Sequence, residues 1–347
     1  MSPRSAETVV PTAHPRETAA LFGHHEAEQA LLAAYRSGRI PHAWLIGGAQ
    51  GIGKATLAYR FARFLLVNRD PSAPAVQAAT SLAVDPDDPV ARQVAAGAHG
   101  GLLTLERSLN EKGVLRSFIT VDETRQTIEF FGSTAAVDGW RICIVDTVDD
   151  FNANAANALL KILEEPPRRS ILLLLSHAPG KVLPTIQSRC RKLPLRPLPP
   201  DDVAAAAAAA TRTPIDDPTL AEAAMVAEGS VGRVLNLLGG HALKLHQRTA
   251  ELLDTLPHVD PRDLHALGDA LGGSGDRTSL AAFTDSIDRW ITSRLKGDVA
   301  NADLPQLARL AEVWEKITRA ARDVESFNLD RKPLVFSVFG LLSEAIR

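Results

Sequence analysis

The sequence predicts an α/β domain with a parallel sheet, followed by segments that are all-α. Three features of the chain point there. Gly48-Ala-Gln-Gly-Ile-Gly-Lys-Ala-Thr56 has the GxxxxGK spacing of a phosphate-binding loop, set between an apolar run and a helical pattern. Short β-rich runs alternate with amphipathic helical stretches as far as Leu175. Beyond Pro194, Pro197, Pro199 and Pro200 no convincing strand pattern continues.

Taken in order, residues 1–20 read as a loose arm, with Pro3, Pro11 and Pro15 among polar neighbours. Ala27, Ala30, Leu31, Ala34 and Tyr35 recur at helical spacing, and Gly38 stands where that helix should stop. Ala43 to Gly47 is a short apolar run leading into the glycine loop. Leu57, Ala58, Phe61, Phe64 and Leu65 then share one face of a helix over 55–67. Strand, glycine loop and helix form the context that a phosphate loop requires.

From Asn68 to Phe118 the periodicity weakens, broken by Pro71, Pro74, Pro86 and Pro89. It reads as an irregular insertion containing one strand, Leu102 to Leu105. Thr120-Val-Asp-Glu123 has capping-box spacing and opens a helix to about Phe131. Trp140 to Val145 is a strand ending at Asp146. Asn154 to Leu163 is an amphipathic helix stopped by Pro166 and Pro167, and Ile171 to Leu175 is a buried strand. Helices follow at Ala204 to Ala210, Asp217 to Glu228 and Val231 to Leu238, then four or five more to the end, including Leu304 to Val324 and Leu334 to Ile346. The expected layout is an arm over 1–20, an α/β domain over 21–197, a small helical domain over 198–240 and a larger helical one over 241–347.

Composition narrows the function classes. A formal charge of −3 on 347 residues is not that of an autonomous nucleic-acid binder, so any DNA contact is expected to be shared with partners. No apolar run is long enough to span a membrane, and the N-terminus lacks the apolar core of a signal peptide. Cys143 and Cys190 are too few for a disulfide framework, which points to a reduced, cytoplasmic protein. Neither a zinc cluster nor a Ser/His/Asp arrangement emerges, and His24, His25 and His177 read as structural or solvated.

The phosphate loop lacks part of its chemistry. In such loops the backbone around Gly48, Gly51 and Gly53 cradles phosphates and Lys54 reaches the outer two, while the hydroxyl after the lysine holds Mg²⁺. Here that residue is Ala55, and Thr56 is turned by about 100° around the helix. Asp146, ending its strand, suits a metal's water shell, yet the catalytic-base position after it is Thr147, which cannot take a proton from water at neutral pH. Asp149 and Asp150 read as solvated loop acids beside the next helix. On spacing alone Arg189 and Arg233 are surface charges, and Ser176 is a strand-end serine.

Four blocks occur in a telling order: Ser37-Gly-Arg-Ile-Pro-His-Ala-Trp-Leu-Ile-Gly47, the loop itself, Asn157-Ala-Leu-Leu-Lys-Ile-Leu-Glu-Glu-Pro-Pro167, and Leu183-Pro-Thr-Ile-Gln-Ser-Arg-Cys-Arg191. Together they resemble the AAA+ clamp-loader family of bacterial DNA polymerase III. The resemblance implies an AAA+ P-loop NTPase-like domain, a helical lid, and a helical collar through which subunits form a ring. It makes Arg189 an arginine finger offered in trans to a neighbouring ATPase, and places Ser176 and Arg233 at sensor-like positions.

The implied role is a largely non-catalytic subunit that assists ATP-dependent loading of a sliding clamp on primed DNA. Its implied partners are the clamp-loader gamma/tau and delta subunits, with clamp and DNA reached through the assembly and no membrane involved. Weak ATP or ADP binding is the only cofactor expectation. Zinc is not expected, because the stretch from Asn68 to Phe118 lacks the cysteines that some relatives carry there. The alternative, an active motor ATPase similar to gamma/tau, requires a hydroxyl at position 55 and an acid at 147.

Overall fold

The computed structural model describes residues 12–346, except 109–115, 117, 133–138, 239–241, 274–276, 296–303 and 328. The chain divides into two compact units, one over Pro11–Arg233 and the other from Val234 onward.

The first unit opens with α1 (His25–Arg36), which buries Ala27, Leu31, Leu32, Ala34 and Tyr35 along one face. Gly38 stops it, its N–H bonded to Tyr35 O and its φ of 67° in the left-handed region that glycine adopts without strain. Strand β1 (Ala43–Gly47) leads through the glycine loop into α2 (Lys54–Val67). The stretch read as an irregular insertion holds two short helices, α3 (Pro74–Ala78) and α4 (Pro89–Ala95), before β2 (Leu102–Glu106). Pro74 and Pro89, which seemed to break the pattern, occupy first helical positions, where a missing N–H costs nothing.

The capping box is realised: Thr120 N–H donates to Glu123 Oε2 at 2.6 Å and Glu123 N–H to Thr120 Oγ1 at 3.3 Å, opening α5 (Val121–Gly132). Strand β3 (Arg141–Asp146) follows, then α6 (Ala153–Glu164), whose first turn is capped by Asn152 Oδ1 accepting from Ala155 N–H at 2.9 Å. Next come β4 (Ser170–Ser176) and α7 (Pro184–Gln187). A strand that the sequence reading missed, β5 (Arg191–Pro194), then closes the sheet. Its four residues are exposed except Leu193, and Pro194 is tolerated because β5 lies at the edge. Helices α8 (Pro200–Thr211) and α9 (Pro218–Val226) precede α10 (Val231–Leu238).

All the strand pairings are parallel, in the order β2-β3-β4-β1-β5. Strands β1 and β4 are buried along their whole length, which explains their near-continuous apolar sequences. Alternate residues point to opposite faces. Trp44, Ile46, Ile144 and Leu173 join α1 and α2 in one core, while Leu45, Val145 and Leu174 join Leu159 and Ile162 of α6 in another. The C-terminal ends of β1, β3 and β4 therefore gather the glycine loop, Asp146 and Ser176 at one rim of the sheet.

The second unit contains α11 (Ala242–Asp254), α12 (Pro261–Gly273), α13 (Arg277–Leu295), α14 (Leu304–Phe327) and α15 (Lys332–Ile346). Its core is helical throughout the described residues, centred on Leu267, Leu271, Phe283, Ile287, Val335, Phe339 and Leu342. Fold class is thus as expected, α/β plus all-α. No helix is long and apolar enough to cross a membrane among the described residues.

Candidate functional site

Glycines shape the loop between β1 and α2. Gly51 has φ 75°, and a Cβ there would lie 2.4 Å from Ser230 Oγ and 3.0 Å from Gly232 Cα. Gly48 has φ 152°, and its Cβ would lie 2.7 Å from Leu195 O. Both positions exclude a side chain on conformation and on space. Gly53, at φ 101°, precedes the first residue of α2.

Lys54 is 4 % exposed, and its ammonium donates to Gly48 O at 2.8 Å and Ala49 O at 2.7 Å. Burial lowers its pKa to about 8, against the raising effect of Asp146 and Asp149. The lysine is therefore satisfied by its own loop, and engaging a phosphate requires exchange of those carbonyls. Ala55 packs against the apolar core, and Thr56 beside it is half-buried. Neither side chain shares a hydrogen bond with Lys54 or Asp146 among the described residues.

Burial raises the Asp146 pKa, with Lys54 opposing. Thr147 is 3 % exposed and its Oγ1 has no hydrogen-bond partner among the described residues. Asp149 is exposed, as the loop-acid reading expects, but it is also engaged: its carboxylate accepts from Ser176 Oγ at 2.9 Å, His177 N–H at 2.6 Å and Ala178 N–H at 3.4 Å. It ties the turn after β3 to the end of β4, so Ser176 is held by protein rather than left as an isolated strand-end hydroxyl. Asp150 likewise pairs with Arg107 at 3.2 Å.

A second contact was not legible in the sequence. Ser230 Oγ donates to Gln50 O at 2.9 Å, and Gly232 N–H donates to Gly51 O at 3.0 Å. The start of α10 thus lies directly on the outer side of the glycine loop. Arg233, in the same turn, pairs with Glu228 at 3.1 Å.

Arg189 is not brought to this cluster. The parallel register pairs Trp44 with Arg191 and Gly47 with Pro194. Arg189 precedes the first of these pairs, and the glycine loop follows the last. Three strand steps of about 3.3 Å each separate the pairs, so at least about 10 Å of sheet lies between the two sites. Arg189 Nη2 bonds Glu164 Oε1 at 2.7 Å and Nη1 bonds Thr185 O at 2.9 Å. Its side chain is 35 % exposed. Cys190 beside it is half-buried, and burial pushes its thiol up to about 12, so it is not a reactive thiolate. No cluster of metal-ligating side chains occurs among the described residues.

A family model described as DNA polymerase III, delta subunit, matches residues 23–199, which include the glycine loop, the Glu-Glu-Pro-Pro block and Arg189. The chain belongs to that family. It is 39% identical over 149 residues to DNA polymerase III subunit delta' of Pseudomonas aeruginosa, covering 43% of this chain and 41% of that protein. To subunit delta' of Escherichia coli it is 32% identical over 210 residues, covering 60% and 58%. Subunit gamma/tau of Mycobacterium bovis is 33% identical over 190 residues, covering 54% of this chain and 30% of that protein. The matches therefore span between 30% and 58% of these relatives' own lengths. A DNA polymerase III gamma subunit-related structure from Thermotoga maritima aligns at 17% identity with TM-score 0.45, covering 91% of this chain and 99% of that one.

Proposed function

We propose that this family member is a delta-prime-type clamp-loader subunit acting in DNA replication. On this reading it works beside gamma/tau and delta subunits, and through them on the sliding clamp and primed DNA. It is itself largely non-catalytic. Arg189 reaches the nucleotide of a neighbouring subunit and stabilises charge on the transferring phosphoryl group, a role typically worth about 10³–10⁵ in rate. On this reading the α/β domain covers 21–197, the helical lid 198–240 and the collar 241–347, whereas the compact units of the structure divide at Arg233.

The observation that carries the reading is the placement of Arg189 at the end of the sheet opposite the glycine loop. A guanidinium there is remote from its own chain's loop and open to a partner. The loop side fits the same division of labour. Lys54 is engaged with Gly48 and Ala49, the next residue is Ala55, and Thr147 fills the base position. Gly48, Gly51 and Gly53 then persist for the shape of the turn, and Lys54, Thr56 and Asp146 as remnants of a nucleotide site whose ATP or ADP affinity is weak. Ser176 and Arg233, at sensor-like positions, serve structure here through Asp149 and Glu228.

The full chain alone, mixed with ATP and Mg²⁺, tests the non-catalytic half of this reading. No turnover is expected above a control carrying Lys54→Ala. Micromolar binding with turnover abolished by that substitution overturns it in favour of a motor ATPase.

A further inference from the structure

Arg189 is held between the ends of two helices. Glu164 is the last residue of α6, and Thr185 lies in the short α7. A carboxylate at a helix C-terminus adds negative charge where the macrodipole is already negative, so the position is unfavourable without a nearby cation. Lys161 in the same last turn is one cation, and Arg189 is the one bonded to the carboxylate, with Nη2 at 2.7 Å from Glu164 Oε1. Its other terminal nitrogen, Nη1, donates to Thr185 O at 2.9 Å. The two acceptors come from different elements, so together they fix the plane of the guanidinium rather than one N–H alone. Nη1 also lies 3.5 Å from Ser188 Oγ, and the N–H groups that none of these acceptors takes face an incoming anion.

We infer that Glu164 is a positioning residue for Arg189, fixing the guanidinium plane so that its remaining N–H groups meet a neighbour's phosphate in register. This rests on the reading of Arg189 as a trans finger. The side chains are 35 % and 51 % exposed, and ion pairs so exposed add little to stability. The value of the contact lies in orientation, since small misplacement of a catalytic group can cost up to about 100-fold in rate. Among the described residues Arg189 hydrogen-bonds and pairs with Glu164 and not with the neighbouring Glu165, so the two acids of the Glu-Glu-Pro-Pro block are not equivalent here.

The test is a double-substitution cycle in the complex assembled from this full chain with its gamma/tau and delta partners. The observable is ATP hydrolysis at the interface that Arg189 faces. Glu164→Ala is expected to lower kcat about tenfold with KM unchanged. Glu164→Gln, which keeps an acceptor oxygen, should recover part of that loss. Neither should slow a complex that already carries Arg189→Ala. In the full chain alone, NMR of the Arg189 guanidinium should show faster rotation about Nε–Cζ in Glu164→Ala, with an unchanged urea midpoint. If Arg189→Ala slows hydrolysis but Glu164→Ala does not, the positioning role fails and the finger stands. If Glu164→Ala further slows the Arg189→Ala complex, Glu164 acts elsewhere and the inference is overturned. If Arg189→Ala has no effect, the finger itself fails.

Discussion

Ser230 Oγ lies 2.9 Å from the backbone oxygen of Gln50, a hydrogen bond joining residues 180 positions apart in sequence. With Gly232 N–H on Gly51 O, it lays the first turn of α10 along the glycine loop. Both contacts use loop carbonyls. Because each peptide is planar and trans, the N–H groups of Gly51 and Ile52 point the other way. The loop therefore keeps the backbone polarity of a phosphate cradle while its outer side is fastened.

Ser230→Ala should lower unfolding free energy by about 1 kcal/mol, the net worth of one such bond. Gly51→Ala should cost more, about 2 kcal/mol, because its φ is left-handed and the Gly232 backbone blocks the new Cβ. Combining it with Ser230→Ala should not restore stability, since Gly232 Cα still stands 3.0 Å away. Urea unfolding of the three variants checks the order.

Asp149 gathers three donors from the end of β4. Asp149→Ala should destabilise the α/β unit by about 2 kcal/mol, as expected for a charged acceptor removed from hydrogen-bonded partners. Asp149→Asn, retaining one acceptor oxygen, should lose less. Amide exchange at His177 and Ala178 should rise in both, most in the alanine variant.

Lys54 gives a pH signature. Its folded pKa of about 8 lies below the ordinary 10.5, so between those values the unfolded chain binds the extra proton. Stability contributed at this position therefore rises as pH increases through that window. Comparing wild type with Lys54→Met by urea unfolding, the difference should move in favour of wild type from pH 8 to pH 10. A difference that is flat or moves the other way contradicts a desolvated ammonium.

Much of this architecture was legible in residue patterns, for local reasons. The capping box at Thr120 and Glu123, the apolar runs of β1 and β4, and the glycine after α1 each depend on neighbours within a few positions. Strand β5 was missed because four mostly exposed residues ending in proline carry no periodicity. Helices α3 and α4 were missed because they are too short to show one. The contacts of Asp149 with β4, of Ser230 with Gln50 and of Arg189 with Glu164 join segments far apart in sequence. No spacing rule exposes them. The composition of the glycine loop drew attention to that site, with Ala55 where a hydroxyl is expected, but only the parallel register of β1 and β5 put Arg189 at the far end of the sheet.

The most direct test of the central claim is Arg189→Ala in the assembled complex, with DNA- and clamp-stimulated ATP hydrolysis measured beside bound nucleotide per complex. The account predicts complete assembly, unchanged nucleotide occupancy, and hydrolysis at the adjoining site reduced by about 10³-fold. An unchanged rate in a fully assembled complex contradicts it.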